Sequence, residues 1–226
     1  MINPKYSLTH YYHSARTLAA TKNPVAPHIV NLYLDYNCPF SAKLFFKLND
    51  SVIPKLQDKH PNQFQFVFVN VIQPWHSNSV LLHEFSLAVA KLLRDSSEKY
   101  GDTNKLFWDL SNVLFKNKEA FYDSNNVTLN RNEIYEQIYD VVSKDLELSI
   151  GKDEILKELQ IVPTSGIENS RNGGNGATND VKYFTRYLRG VGAHVTPTVS
   201  VDGIINDGIS SGAEIDFLIE TFEKSL

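Results

Sequence analysis

The chain holds one cysteine, Cys38, in the stretch Asn37-Cys38-Pro39-Phe40-Ser41. Proline lacks the N–H that a helix leaves unpaired in its first turn, and its φ is already helical. Pro39 therefore marks a first helical position and Cys38 the N-cap. There the sulfur faces unpaired backbone N–H groups and the positive end of the helix dipole, a setting that favours thiolate over thiol. The chemistry open to it is nucleophilic thiol exchange, although a small buried apolar residue at a strand-to-helix turn fits the same stretch. Two histidines are candidates to exchange a proton with that sulfur: His76, next to Trp75, and His194, two residues before Thr196-Pro197. The pair Trp75-His76 equally fits a surface histidine beside a packing tryptophan. Cys38, His76 and His194 have no spacing that defines a zinc site, so no metal is expected. His10 and His13 have no cysteine or acidic neighbour and are expected to be solvated, and His83 is expected on the exposed side of its helix.

The whole chain bounds these readings. Its 226 residues suffice for one large domain, or one domain with a sizeable insertion. A net charge of −4, with Lys and Arg scattered, leaves no footprint for nucleic acid. One cysteine excludes an intramolecular disulfide and a Cys-x-x-Cys centre, in keeping with a reducing compartment. No apolar run reaches the roughly 18–20 residues that span a bilayer, so no membrane partner is expected. Asn3, Lys5, His10, His13, Arg16 and Lys22 break any signal-peptide core. The same segment is rich in hydroxyls and free of acid before Asp35, as organelle transit peptides are. Cytoplasm is the expected location, with mitochondria as the alternative.

Several elements must position the candidates. Residues 1–26 form an arm or short helix ending at Pro24 and Pro27. Ile29 to Tyr36 is β-branched and aromatic, as a buried central strand is. A helix with Leu44, Phe45, Leu48, Val52 and Leu56 follows, which Pro54 should kink or divide. Phe64 to Ile72 gives a second strand, completing a parallel βαβ unit with a right-handed crossover. Ligands gather at the carboxyl ends of such strands, which is where Cys38 and Gln73-Pro74-Trp75-His76 fall. Residues 77–165 are helical almost throughout, with a capping box at Asn130 and Glu133 and a break at Gly151. Residues 166–177 form a flexible loop without apolar content. Its Gly173, Gly174 and Gly176 lack the Lys-Ser/Thr and the preceding strand of a phosphate loop. Tyr183, Phe184, Tyr187 and Leu188 mark another helix, Asp202-Gly203 turns a hairpin, and Ser211 with Glu214 reads as a capping box opening the final helix.

The order β, α, β, helical block, α, β-hairpin, α resembles the thioredoxin superfamily, in particular its DsbA-like branch with a helical domain inserted into the fold. The fold class is thus α/β: residues 27–76 and 178–226 form the thioredoxin-like part and residues 77–165 the insertion. Two motifs carry the likeness: Cys38-Pro39-Phe40-Ser41 at the family's Cys-x-x-Cys position, and Gly190-Val191-Gly192-Ala193-His194-Val195-Thr196-Pro197-Thr198 at its cis-proline loop. The resemblance implies that Pro197 is cis and that Thr196 and Pro197 lie beside the Cys38 sulfur, offering backbone groups to an extended thiol substrate or glutathione.

Ser41 departs from the family, because it stands where the resolving cysteine belongs and a hydroxyl cannot attack a mixed disulfide. Monothiol chemistry remains open, in which Cys38 forms a mixed disulfide that an external thiol such as glutathione resolves. The pattern is similar to monothiol glutaredoxins, which bind an iron–sulfur cluster with glutathione, although those have Gly where this chain has Pro39. It is also similar to kappa-class glutathione transferases, and there Ser41 would be the hydroxyl that activates glutathione. A binding module without chemistry is the third possibility. The resemblance thus gives Cys38 and Ser41 as catalytic candidates. Pro39, Phe40, Trp75, His76, His194, Thr196 and Pro197 are the substrate-binding candidates. The expected partner is a small or protein thiol, and glutathione is the one cofactor candidate.

Overall fold

The structure is a computed structural model describing residues 1–20 and 25–226; Thr21 to Pro24, including the proline expected to close the arm, lie outside the described residues. A 3-10 turn (Pro4–Leu8) and α1 (Ala15–Ala20) precede β1 (His28–Leu34). Then come α2 (Pro39–Lys47), a π-helical turn (Leu48–Val52), α3 (Ile53–Lys59) and β2 (Phe64–Asn70). Pro54 sits in the first turn of α3, where its missing N–H is tolerated, and the widened π turn before it divides the long helix. The helical block is α4 (Ser79–Asp95), α5 (Ser97–Tyr100), α6 (Thr103–Lys116), α7 (Arg131–Asp145) and α8 (Lys152–Leu159). The chain closes with α9 (Thr178–Val191), β3 (Thr198–Val201), β4 (Ile204–Ile205) and α10 (Ile215–Glu223).

The strands form one sheet in the order β2-β1-β3-β4, with β1 parallel to β2 and antiparallel to β3. β1 is paired on both sides and buried on both faces: Val30, Leu32 and Leu34 join the core shared with the helical block, and Tyr33 belongs to a second core with Phe184 of α9, on the face that also buries Asn31. The insertion has no separate core, since Phe68 of β2 packs against Phe107, Trp108 and Phe115 of α6. Asp202 (φ 50°) and Gly203 (φ 88°) make the hairpin turn that requires positive φ at both central residues.

Of the two capping boxes expected, one is present. The Asn130–Glu133 capping box is present in full. Ser211 and Glu214 form none: α10 begins one residue after Glu214, and the preceding turn is docked on Lys47, whose Nζ donates to the carbonyls of Ser211 (3.2 Å) and Ala213 (2.6 Å). The loop of residues 166–177 is pinned at its far end. There Asn175 Nδ2 donates to the Tyr135 hydroxyl and the Leu159 carbonyl, both at 3.2 Å, and Ala177 is buried. Gly176 lies so close to Glu158 that a Cβ would meet its backbone oxygen at 2.9 Å.

The N-terminal segment is part of the fold. It runs along the outer edge of β2, with Tyr12 N–H donating to Phe66 (2.8 Å) and Phe68 N–H to His10 (2.9 Å), and so covers an exposed sheet edge. Asp180 of α9 holds it, accepting from Lys5 Nζ (2.6 Å), the Tyr6 hydroxyl (2.9 Å) and Arg94 (2.9 Å). This overturns the solvated reading of the two N-terminal histidines. His13 is half-buried, with its backbone bonded on both sides to the Gln65 side chain. His10 is fully buried and stacked on Phe107 (centroids 4.3 Å apart). Its Nε2 donates to Asn70 Oδ1 (3.0 Å) and its Nδ1 accepts from Thr9 Oγ1 (2.8 Å). Burial foremost, and then the charge of Arg94, push its pKa down to about 3.

A histidine neutral when folded but chargeable when unfolded makes stability fall with falling pH between the two values. Unfolding free energy is expected to drop by about 1.4 kcal/mol per pH unit from roughly pH 6 to 4. His10→Phe should flatten that slope in urea titrations; an unchanged slope would contradict the buried neutral imidazole.

Candidate active site

β1 delivers the site. Immediately after its last residue the chain turns through Asp35, and Cys38 N–H donates to the Asp35 carbonyl (3.0 Å) before Pro39 opens α2. Cys38 is the N-cap, with φ −83° and ψ 117°, and its own carbonyl accepts the first helical bond, from Ala42 (3.1 Å). It is 4% exposed, and Sγ lies 3.5 Å from the Thr196 carbonyl oxygen, within reach of an S–H hydrogen bond. The Thr196–Pro197 peptide bond is cis. Gln73, at the end of β2, fixes that loop: its Nε2 donates to the His194 carbonyl (3.3 Å) and approaches Thr196 Oγ1 at 3.5 Å.

Beneath the cysteine turn lies a residue the sequence reading missed. Asp35 is fully buried, and its carboxylate is surrounded by donors. Oδ1 accepts from Asn37 N–H (2.9 Å) and the Ser79 hydroxyl (2.7 Å), with His83 Nε2 at 3.6 Å. Oδ2 accepts from Gln73 N–H (3.2 Å) and His76 Nδ1 (2.8 Å). Burial is the largest single influence on its pKa and acts upward. Hydrogen bonding and charge from His83, with hydrogen bonds from His76 and Ser79, outweigh it and hold the carboxyl below its ordinary value. His83 is thus not on an exposed helix face. α4 is buried nearly all round, and the residues off its apolar stripe meet buried polar partners instead of water. Asn70 Nδ2 donates to His83 Nδ1 (2.8 Å) and Ser86 Oγ (3.2 Å) while Asn70 Oδ1 accepts from His10, so one polar chain runs from Thr9 to the site. A charged residue next to an apolar strand and three before a helix N-cap was the only available signal for Asp35.

The other candidates divide. His76 lies near Asp35 and half-buried, whereas His194 is exposed and enters the site through its backbone carbonyl. Ser41 is fully buried, with Oγ accepting from Asp35 N–H (3.3 Å). Trp75 does not pack: it is 64% exposed, and with Phe40 (61%) and Val195 (62%) it leaves apolar surface on the segments that flank Cys38. Pro39 and Asn37 join Trp75, His76, Tyr122 and Asp123 in a cleft of about 330 Å³ beside the cysteine turn. Burial, then the charges of Glu119 and Cys38, raise the Tyr122 hydroxyl's pKa, so the ring stands within electrostatic reach of the sulfur. A larger cleft, about 620 Å³, is lined by Lys55, Asp58, Lys59, Asp216 and Glu223 of α3 and α10 and by no residue of this site. Among the described residues no group of three or more His, Cys, Asp or Glu could hold a metal ion, and no helix is long and apolar enough to cross a membrane.

Asp35→Asn puts an amide where one set of donors needs an acceptor, and should cost about 3–5 kcal/mol at pH 7. Because the folded pKa lies below the ordinary 3.8, the carboxylate's contribution is present above that value and lost as pH falls through the folded one. The gap between wild type and variant in denaturant unfolding should therefore shrink toward pH 3. Equal stability at pH 7, or an unchanged gap in acid, would contradict the charged hub.

No family model matches the chain, and no curated protein matches its sequence. Solved structures do match. A suspected protein-disulfide isomerase of Pseudomonas syringae superposes with a TM-score of 0.62 at 23% identity, over 87% of this chain and 93% of its own. BdbD of Bacillus subtilis gives 0.55 at 20% identity, covering 99% and 95%. The thiol-disulfide exchange protein alpha-DsbA2 of Wolbachia pipientis gives 0.57 at 14% identity, covering 98% and 91%. With β1, β2, the helical block and the hairpin in their observed order, the chain shares the fold of these proteins, a thioredoxin fold with an inserted helical domain.

Proposed function

We propose that the protein carries out thiol–disulfide exchange with one sulfur of its own, Cys38, and relies on an external thiol such as glutathione to complete each cycle. The observation that carries this reading is the placement of Cys38 Sγ at the start of α2, 3.5 Å from the Thr196 carbonyl beside cis-Pro197, with a serine three residues on. The Cys38 thiolate attacks a substrate disulfide; the Sγ–S bond forms, the substrate S–S bond breaks, and the other sulfur leaves as a thiolate. A second thiol then attacks the mixed disulfide, taking the substrate sulfur and releasing Cys38. The cis Thr196–Pro197 loop beside the sulfur and the exposed apolar side chains of Phe40, Trp75 and Val195 suit an extended polypeptide thiol. The thiol-disulfide exchange activity named for the Wolbachia protein supports the same reading. A transferase reading on Ser41 is less well supported, because that hydroxyl is buried and engaged by Asp35 N–H. An exchange thiol that depends on an external thiol needs a reducing compartment, and we assign the protein to the cytoplasm on that ground.

Incubation with oxidised glutathione should add one glutathionyl group to Cys38, read by intact mass and peptide mapping, reversed by dithiothreitol and absent from Cys38→Ala. An unmodified Cys38 after prolonged incubation would contradict the proposal.

A further inference from the structure

Ser41 leaves the second half of the exchange without a protein sulfur, and resting on the reading above, the question becomes which group activates the incoming thiol. The cleft beside Cys38 holds one titratable side chain with a fixed orientation. His76 Nδ1 is committed to Asp35 Oδ2 at 2.8 Å, and the carboxylate only accepts, so Nδ1 carries the proton and Nε2 is left as the basic nitrogen. The hydrogen bond does for His76 what a buried carboxylate does for any histidine base: it selects the tautomer and holds the ring in place. The charged and titratable groups around it are Asp35, which His83 also approaches, and Tyr122 and Asp123, which line the same cleft; Asn37 and Pro39, the neighbours of Cys38 in the chain, line it too. The cleft volume of about 330 Å³ lies at the low end of small-ligand sites, which run from roughly 300 to 1,000 Å³.

We infer that this cleft takes the resolving thiol, a low-molecular-weight thiol such as glutathione, and that His76 is its catalytic base with Asp35 as the positioning residue. The incoming thiol gives its proton to His76 Nε2. Its sulfur attacks the substrate sulfur of the mixed disulfide, a new S–S bond forms between them, and the Sγ–S bond to Cys38 breaks. The electron pair returns to Sγ as thiolate, the incoming sulfur is oxidised as Cys38 is reduced, and His76 passes its proton to the departing thiolate or to water.

The test loads Cys38 as a mixed disulfide with a small cysteine peptide and follows, by acid-quenched intact mass, the release of free Cys38 as glutathione takes the peptide sulfur, across glutathione concentration and pH. Wild type should saturate with glutathione and keep a high rate at and below neutral pH. His76→Gln, which keeps a hydrogen-bonding side chain at the same place, should be slower by roughly 10²-fold near neutrality, its rate rising with pH only as free glutathione ionises. Added imidazole should restore release in His76→Ala. Equal rates and pH profiles in wild type and His76→Gln, or no rescue, would overturn the inference alone. Failure to load Cys38 at all would overturn both the inference and the exchange reading.

Discussion

A carboxylate without contact with water must have its lone pairs met by donors, and in this protein that demand organises the functional end of the fold. Asp35 draws its donors from three segments: Asn37 in the cysteine turn, Gln73 and His76 in the loop after β2, and Ser79 and His83 in the first two turns of α4. Meeting the acid therefore fixes the approach of Cys38 to α2, the path of the chain leaving β2, and the seating of the first inserted helix. Through Gln73, whose amide N–H and side chain bond in opposite directions, the same constraint reaches the cis-proline loop.

On that base the site has two unlike sides. One is backbone: the Thr196 carbonyl beside the sulfur, with apolar side chains of Phe40, Trp75 and Val195 on flanking segments. The other is the cleft with His76, Tyr122 and Asp123. A dithiol enzyme closes its cycle within one turn of helix. Here the corresponding position is a buried serine whose hydroxyl serves the Asp35 backbone, and on the proposed reading the second sulfur arrives from outside, by way of the cleft.

The parts legible in the sequence were those set by neighbours in the chain. Pro39 after Cys38 announced the helix start, Asp202-Gly203 the hairpin, Asn130 with Glu133 the cap, and Pro54 the division of a helix. The polar core was not legible. His10, Asn70, His83 and Asp35 look like surface residues until partners from distant segments are brought together, because nothing local distinguishes a polar residue facing water from one facing a buried partner. The turn before α10, where Ser211 and Glu214 suggested a capping box, is held instead by a partner 164 residues away, Lys47, on the Ser211 carbonyl.

The central claim is that this is a thiol-exchange site complete except for its second sulfur. Ser41→Cys tests it most directly, by counting free thiols and comparing intact mass before and after mild oxidation. The account predicts that the variant loses two hydrogens and both free thiols as Cys38 bonds to the new sulfur one helical turn away, a separation that disulfide geometry accommodates. A variant that keeps two free thiols, or pairs only between molecules, would contradict it.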